Sequence, residues 1–300
     1  MASTVSRSAE PPSFSTSSAS TRPTSVGSKD DEDLPTIPFT NVQDLFDVIN
    51  STTKDALTVT HVSPTHFADI ERERDKRRHK FRFRRYNSDS QILFITIPTD
   101  VHEALHVGIY EGYRDQLVRS GSERGWTTIA SATRRAHHSH PGGNGGEGDS
   151  TGGPKPERHT KGAWPTLVVE AGVSESLNEL HDDMRWWFAA SNYNVKIVLL
   201  AKFEHAHGTI TLERWEEEAR GTRPGATTTR HLAAIEPVRR QIITITQDLT
   251  TDPISYLVTS GALVLDFRLL FLRDPGPGEG DVVLSVQQLE AYAGDVWAVV

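Results

Sequence analysis

The sequence contains no cysteine, which excludes disulfide bonds, thiolate zinc sites and cysteine nucleophiles. It also lacks any apolar run approaching the ~20 residues that span a bilayer, and its N-terminus has no apolar stretch of signal-peptide length. From these absences we expect a soluble, intracellular protein without a membrane partner. The net charge of −8 argues against a general nucleic-acid binder.

Two segments contain little that a core could bury. Residues 1–36 are dominated by Ser, Thr, Pro and Asp, which predicts a disordered N-terminal tail. Residues 134–162 are rich in Gly and polar residues, which predicts a disordered insertion. The rest of 37–300 is long enough to form a single domain with a substantial core.

Hydrophobic periodicity predicts an α/β fold with a central mixed β-sheet flanked by helices. Before the insertion we expect, in order, a helix at 41–50, hairpin strands at 81–86 and 91–97, a helix at 101–119 that Thr99 or Asp100 caps, and a strand at 126–131. After it, two apolar strands at 165–171 and 194–203 enclose a helix at 175–190 capped by Ser174, which indicates a parallel, right-handed βαβ unit. The remaining predicted elements are strands at 208–217, 238–247 and 262–272, and a helix at 282–298.

The strings WPTLVVEAGVSESL, LHDDMRWWF and VKIVLLAKF resemble fungal proteins that carry a PD-(D/E)XK, or restriction-endonuclease-like, domain. Similar strings lie upstream (ITIPTDVHEALH, GEGDSTGGPKPER) and downstream (ITLERWEEE, GALVLDFRLLFLRDPGPGEGD), so the resemblance covers roughly residues 80–300. It implies a restriction-endonuclease-like core and metal-dependent hydrolysis of phosphodiester bonds in nucleic acid. The implied cofactor is Mg²⁺ or Mn²⁺, which activates water and offsets charge on the phosphate.

Nucleases of this class supply carboxylates from two neighbouring strands, one carrying Asp and the other carrying Glu, an arbitrary residue and then Lys. By this resemblance Glu170 matches the motif glutamate, and Asp149 matches the preceding aspartate, with Glu157 as the alternative. Glu103 matches the acidic residue that many of these enzymes contribute from a helix. The implied metal ligands are therefore Asp149, Glu170 and Glu103.

The chain departs from the motif at the lysine, because Gly172 stands two residues after Glu170. Members of the wider fold sometimes supply this group from a neighbouring element. Lys196 on the adjacent strand is the expected substitute, with Lys155 and Lys161 as weaker candidates. A non-catalytic interaction module that retains the nuclease fold is therefore the alternative function.

Basic residues are concentrated between residues 72 and 85. Such a run contacts phosphates or acts as a nuclear localisation signal, and it is equally typical of a solvated, charge-rich helix end and edge strand. The expected compartment is accordingly the nucleus or the cytoplasm. The predicted nucleic-acid contacts are Arg77, Arg78, Lys80, Arg82 and Arg84.

A competing motif is H-E-x-x-H, formed by His102, Glu103 and His106. On a helix this spacing places both imidazoles on one face, where they can bind zinc with the glutamate as general base. The extended motif needs a Gly and a third His at positions that Ile109 and Gly112 occupy. A zinc metalloprotease is therefore a third hypothesis, ranked below the nuclease and the interaction module.

Overall fold

The computed structural model describes residues 1, 34–78, 80–129, 132–136, 143–219 and 235–300. Every helix and strand belongs to the compact unit Asp33–Val300. Most of the predicted disordered tail, residues 2–33, lies outside the described residues.

The described chain forms six helices and fifteen strands. The helices are α1 (Val42–Ser51), α2 (Pro64–Arg77), α3 (Asp100–Arg119), α4 (Leu177–Ala190), α5 (Phe267–Phe271) and α6 (Val286–Trp297). The strands are β1 (Thr36–Pro38), β2 (Ala56–Thr60), β3 (Arg82–Asn87), β4 (Ile92–Thr96), β5 (Trp126–Thr128), β6 (Arg134–Arg135), β7 (Gly145–Gly146), β8 (Ser150–Pro154), β9 (Leu167–Gly172), β10 (Ile197–Glu204), β11 (Thr209–Ala219), β12 (Ile235–Asp248), β13 (Ser255–Val258), β14 (Leu263–Leu265) and β15 (Val282–Leu284). Across these ranges, no helix has both the length and the apolar character needed to cross a membrane.

The first sheet has the strand order β1-β2-β4-β3-β7-β6. Helices α1 and α2 cover one of its faces, where Phe46 and Phe67 pack with Phe83 and Leu93. The expected hairpin is present, because β3 and β4 pair antiparallel.

The second sheet has the strand order β13-β12-β11-β10-β9-β8-β5. Strands β9 and β10 are parallel and are joined by α4, as predicted for the βαβ unit, whereas the other neighbours are antiparallel. Helices α3, α5 and α6 cover the face that carries Val169 and Ala171, and α4 covers the face that carries Val168. The protein is therefore α/β with mixed sheets, as expected.

Three predicted boundaries are corrected by local hydrogen bonds. The expected strand at 262–272 is β14 followed by α5, because Asp266 caps that helix by accepting from the amides of Arg268 and Leu269. The expected helix at 282–298 begins with β15. Ser176, not Ser174, caps α4.

The Gly-rich insertion expected to be disordered is, in its described part, built into both sheets. Strands β6 and β7 extend the first sheet, and β8 lies between β5 and β9 in the second. Glycine permits this burial: a Cβ at Gly152 would lie 2.5 Å from Trp126 Nε1, and one at Gly146 would lie 2.8 Å from the carbonyl oxygen of Arg84. The composition thus reflects close packing of the backbone, although residues 137–142 lie outside the described chain.

We expect Gly152→Ala to lower the free energy of unfolding by about 1–3 kcal/mol, because the added methyl group overpacks the space against Trp126. Gly280→Ala is the matched control, since a Cβ at Gly280 meets nothing within 4 Å. That control should change stability by no more than ~0.5 kcal/mol. Chemical denaturation measures both, and equal stability of the two variants would contradict the close packing of β8.

Candidate metal centre

Helix α3 contributes two buried histidines to one point of the fold. Thr99 caps the helix, and its Oγ1 accepts from the amide of His102 at 3.2 Å. His102 and His106 are one turn apart, so they share a helix face, and their relative exposures are 0% and 2%. Glu103 lies beside them with 39% of its side chain exposed.

Asp149 reaches the same point from the second sheet. It immediately precedes β8, whose Ser150 pairs with Val169, so Asp149 lies across from Glu170 on the neighbouring strand. Asp149 Oδ2 accepts from the amide of Ala171 at 2.9 Å and lies 3.3 Å from His102 Nε2. The backbone of β9 thus holds this carboxylate against helix α3.

His102, His106 and Asp149 form a cluster whose potential ligand atoms lie within 4.8 Å of one another. His106 Nδ1 lies 2.8 Å from Ser150 Oγ, and donation to that oxygen leaves a lone pair on His106 Nε2. Neither ring nitrogen of His102 has a hydrogen-bond partner among the described residues. We refer to these three residues as the His–Asp cluster.

Arg82 of β3 inserts its guanidinium into the His–Asp cluster. Its Nη1 lies 3.0 Å from Asp149 Oδ1 and 3.3 Å from His106 Nε2, and its Nη2 lies 2.7 Å from Glu103 Oε1. The guanidinium therefore contacts acceptor atoms that a metal ion would use.

Charges around the His–Asp cluster shift two pKa values in opposite directions. Burial disfavours the carboxylate of Asp149, but the positive charges of His102, His106 and Arg82 outweigh it and hold the pKa of Asp149 well below its usual range. Burial also disfavours the imidazolium of His102, yet the adjacent Asp149 raises the pKa of His102 well above its usual value. Asp149 therefore favours its ionised form, in contact with Arg82 and His102.

The surroundings of Glu170 favour its protonated form. Burial, together with the negative charges of Asp149 and Asp183, raises the pKa of Glu170 well above its usual value. Its Oε1 accepts a short hydrogen bond from Trp187 Nε1 on α4. The structure therefore brings Glu170 next to Asp149 but leaves it out of the His–Asp cluster.

The donor set does not fit the Mg²⁺ that the nuclease resemblance implies. Mg²⁺ takes oxygen ligands in near-octahedral geometry, usually one or two carboxylates with several waters. The atoms that converge here are two imidazole nitrogens and one carboxylate oxygen. Imidazole ligands suit first-row transition metals such as zinc, copper, iron and nickel.

The substitute lysines expected from the sequence lie away from the carboxylates. Lys196 forms an ion pair with Glu217 at 2.6 Å and precedes β10, four residues before the partner of Glu170. Four residues of strand span roughly 13 Å. Lys155 and Lys161, together with Glu157, are exposed and follow β8 at the end opposite Asp149.

A different lysine, Lys202, lies beside the position of the motif lysine. In the parallel pair of β9 and β10, Lys202 is the direct partner of Gly172. Its Nζ donates to the carbonyl oxygen of Val173 at 2.6 Å. The sequence carried a usable signal, because the carboxyl ends of parallel strands meet at one edge and Lys202, like Glu170, is near the end of its strand.

The basic run does not form one continuous surface. Arg84 is buried between two carboxylates, with Nη1 2.9 Å from Glu175 Oε1 and Nε 3.2 Å from Asp183 Oδ2, so it is not on the solvent face where a phosphate contact was expected. Arg77 pairs with Glu73, and Arg82 with the His–Asp cluster. Arg78 and Lys80 are exposed.

An open cleft of about 560 Å³ gives solvent access to this region. Arg82 and Glu103 line it, and Lys80 and Arg74 form part of its rim together with Asp100. The Asp149 side chain itself is only 4% exposed. Access to the His–Asp cluster therefore passes Arg82 and Glu103.

No family model matches the chain, and no curated protein matches it. The functional interpretation therefore rests on the geometry and on the motif resemblance.

Burial raises the pKa of Glu175 to about 7, against the opposing effect of Arg84. A carboxyl pKa raised by folding stabilises the protein below the unfolded value, and that contribution is lost as the pH rises from 4.5 toward 7. The shift corresponds to about 3 kcal/mol. We expect unfolding free energies measured from pH 4.5 to 8 to fall by this amount relative to Glu175→Gln, which mimics the protonated form.

Asp182→Asn, which removes an exposed carboxylate of α4, serves as the control for loss of a charge. Its profile should run parallel to that of the wild type. Parallel profiles for wild type and Glu175→Gln would instead show that Glu175 is ionised throughout this range.

Proposed function

We propose that the chain has a restriction-endonuclease-like core and hydrolyses phosphodiester bonds of nucleic acid with a bound divalent ion. One observation carries the proposal: Asp149, which immediately precedes β8, lies across from Glu170 on the neighbouring strand β9, and Glu103 approaches from helix α3. Carboxylates on two neighbouring strands with an acidic helix residue are what the motif resemblance implies.

The sheet supports the same proposal. Strands β8, β9 and β10 combine antiparallel and parallel pairing, with α3 on one face and α4 on the other. This is a central mixed sheet flanked by helices. Both carboxylates lie at one edge of it, where open α/β sheets bind ligands.

Each side chain of the site has a role in such a reaction. A divalent ion supplies a water of lowered pKa and offsets charge on the phosphate. Asp149 provides a ligand oxygen, and Lys202, beside Gly172, provides the ammonium that orients water in place of the motif lysine. Arg82 and Lys80 supply positive charge at the cleft through which a phosphate would enter.

A metallopeptidase is the second candidate, because His102 and His106 of the H-E-x-x-H motif meet a third ligand, Asp149. The motif requires Glu103 as general base. Contacts with His102, His106 and Arg82 hold the pKa of Glu103 below its usual range, which weakens it as a base. The nuclease proposal is therefore preferred.

We expect cleavage of single- or double-stranded DNA or RNA in the presence of Mn²⁺, Zn²⁺ or Co²⁺. Asp149→Asn should reduce the rate by about 100-fold or more, because a ligand oxygen is lost. Lys202→Met should reduce it by about 100-fold through loss of one charge-stabilising donor. Gel assays with labelled substrates measure these rates.

Lys196→Met is the matched control for Lys202→Met, and it should retain wild-type activity because Lys196 pairs with Glu217. Equal losses in the two lysine variants would remove the role given to Lys202. Cleavage of an unstructured protein substrate, but of no nucleic acid, would favour the peptidase. Absence of both activities in folded protein would favour the non-catalytic module.

A further inference from the structure

The His–Asp cluster has a property that its nuclease role does not require. An imidazole buried without a hydrogen bond loses its solvation without compensation, so such groups are normally paired. His102 is fully buried, and neither of its ring nitrogens has a hydrogen-bond partner among the described residues. Its Nε2 lies 3.3 Å from Asp149 Oδ2, and one potential ligand atom each of His102, His106 and Asp149 lies within 4.8 Å of the others.

The second histidine is oriented as metal-bound histidines usually are. A ligating imidazole almost always contacts a polar group through its other ring nitrogen, which fixes the tautomer. His106 makes this contact through Nδ1, 2.8 Å from Ser150 Oγ. Arg82 Nη1 and Glu103 Oε1 each lie 3.3 Å from Nε2. In the tautomer whose Nδ1 donates to Ser150, Nε2 has a lone pair and accepts from Arg82.

Arg82 is the cationic side chain in contact with these acceptor atoms. It contacts Asp149 Oδ1 and His106 Nε2 through one nitrogen, and Glu103 through the other. A neutral imidazole nitrogen has one lone pair, so His106 Nε2 can accept from Arg82 or bind a metal ion, but not both. Contact with Arg82 and metal binding are therefore mutually exclusive at His106 Nε2.

We propose that His102 and His106, both as neutral imidazoles, and Asp149 bind one first-row transition-metal ion of the Zn²⁺ or Co²⁺ class, and that the ion displaces Arg82 from His106. Arg82 lines the open cleft, so its side chain borders solvent-filled space into which it can move. Its positive charge then lies where an anionic substrate enters. Ion binding and exposure of Arg82 are thus coupled.

The test is direct titration of the ion-free chain with Zn²⁺, Co²⁺ and Mg²⁺ by calorimetry, with Co²⁺ absorption as a second readout of imidazole ligation. We expect one Zn²⁺ or Co²⁺ per chain and no competition from Mg²⁺. His106→Ala should weaken Zn²⁺ binding by at least about 100-fold, and Ser150→Ala by about 10–100-fold. His159→Ala, which alters an exposed histidine, is the control and should bind normally.

Arg82→Met tests the displacement. Removal of the competing cation should tighten Zn²⁺ binding by about tenfold or more, because the binding-competent state is no longer a minor population. Lys80→Met removes a positive charge from the same cleft outside the cluster, and should leave the affinity unchanged. Equal changes of Zn²⁺ affinity in Arg82→Met and Lys80→Met would contradict the displacement. They would show that Arg82 affects binding only through its positive charge.

Zn²⁺ binding that survives in His106→Ala, or no binding by folded wild-type protein, would overturn the metal site. The inference rests on the proposed function only for what the ion does in catalysis. Binding is measured without nucleic acid, so an ion-loaded protein that cleaves nothing would contradict the proposed function and leave the metal site standing. Far-UV circular dichroism of each variant verifies its fold.

Discussion

The two sheets meet through buried charges, and the candidate site depends on this interface. Along β3, Phe83 packs into the core of the first sheet, whereas Arg82 and Arg84 contact carboxylates of the second sheet or its connections. A buried charge is costly unless it is paired, so each arginine requires its carboxylate in one position. Asp149 is held in this way from two sides, by Arg82 and by the amide of Ala171.

The same interface contains more acid than the arginines neutralise. Glu170 and Glu175 both have pKa values raised mainly by burial, so each favours its protonated form. Buried acids with raised pKa values beside an ionised Asp149 are typical of functional sites, where a cation or a proton completes the charge balance. Neither ring nitrogen of His102 has a hydrogen-bond partner among the described residues, so both are potential ligand atoms beside Asp149. This favours cation binding at the His–Asp cluster over other parts of the interface.

Local pattern predicted much of this fold but not its long-range pairings. The period-two hairpin, helix α3 and the βαβ unit follow from hydrophobic spacing, and the motif resemblance selected Asp149 and Glu170. The alternation of Phe and Arg in β3 does not indicate that both faces are covered, so it predicts an exposed Arg84 although the second sheet buries this residue. The Gly-rich composition of β8 resembles disorder because close backbone packing and flexibility both use glycine. The position of Lys202 beside Gly172 could be recognised only from the register of β9 against β10.

The missing motif lysine has a packing explanation in α4. A Cβ at Gly172 would lie 3.0 Å from Leu180 Cδ1 and 3.3 Å from its Cγ, so even the first carbon of a lysine side chain would press on a fully buried leucine. Close approach of α4 to β9 therefore disfavours lysine at this position. The lysine nearest to it lies on the neighbouring strand, where Lys202 pairs with Gly172. Trp187 of the same helix also contacts Glu170 and covers it on that face. The approach that remains is from the side of α3 and the first sheet, where Arg82 and Glu103 line the cleft. The open side of this edge therefore leads to the His–Asp cluster, whereas α4 covers Glu170.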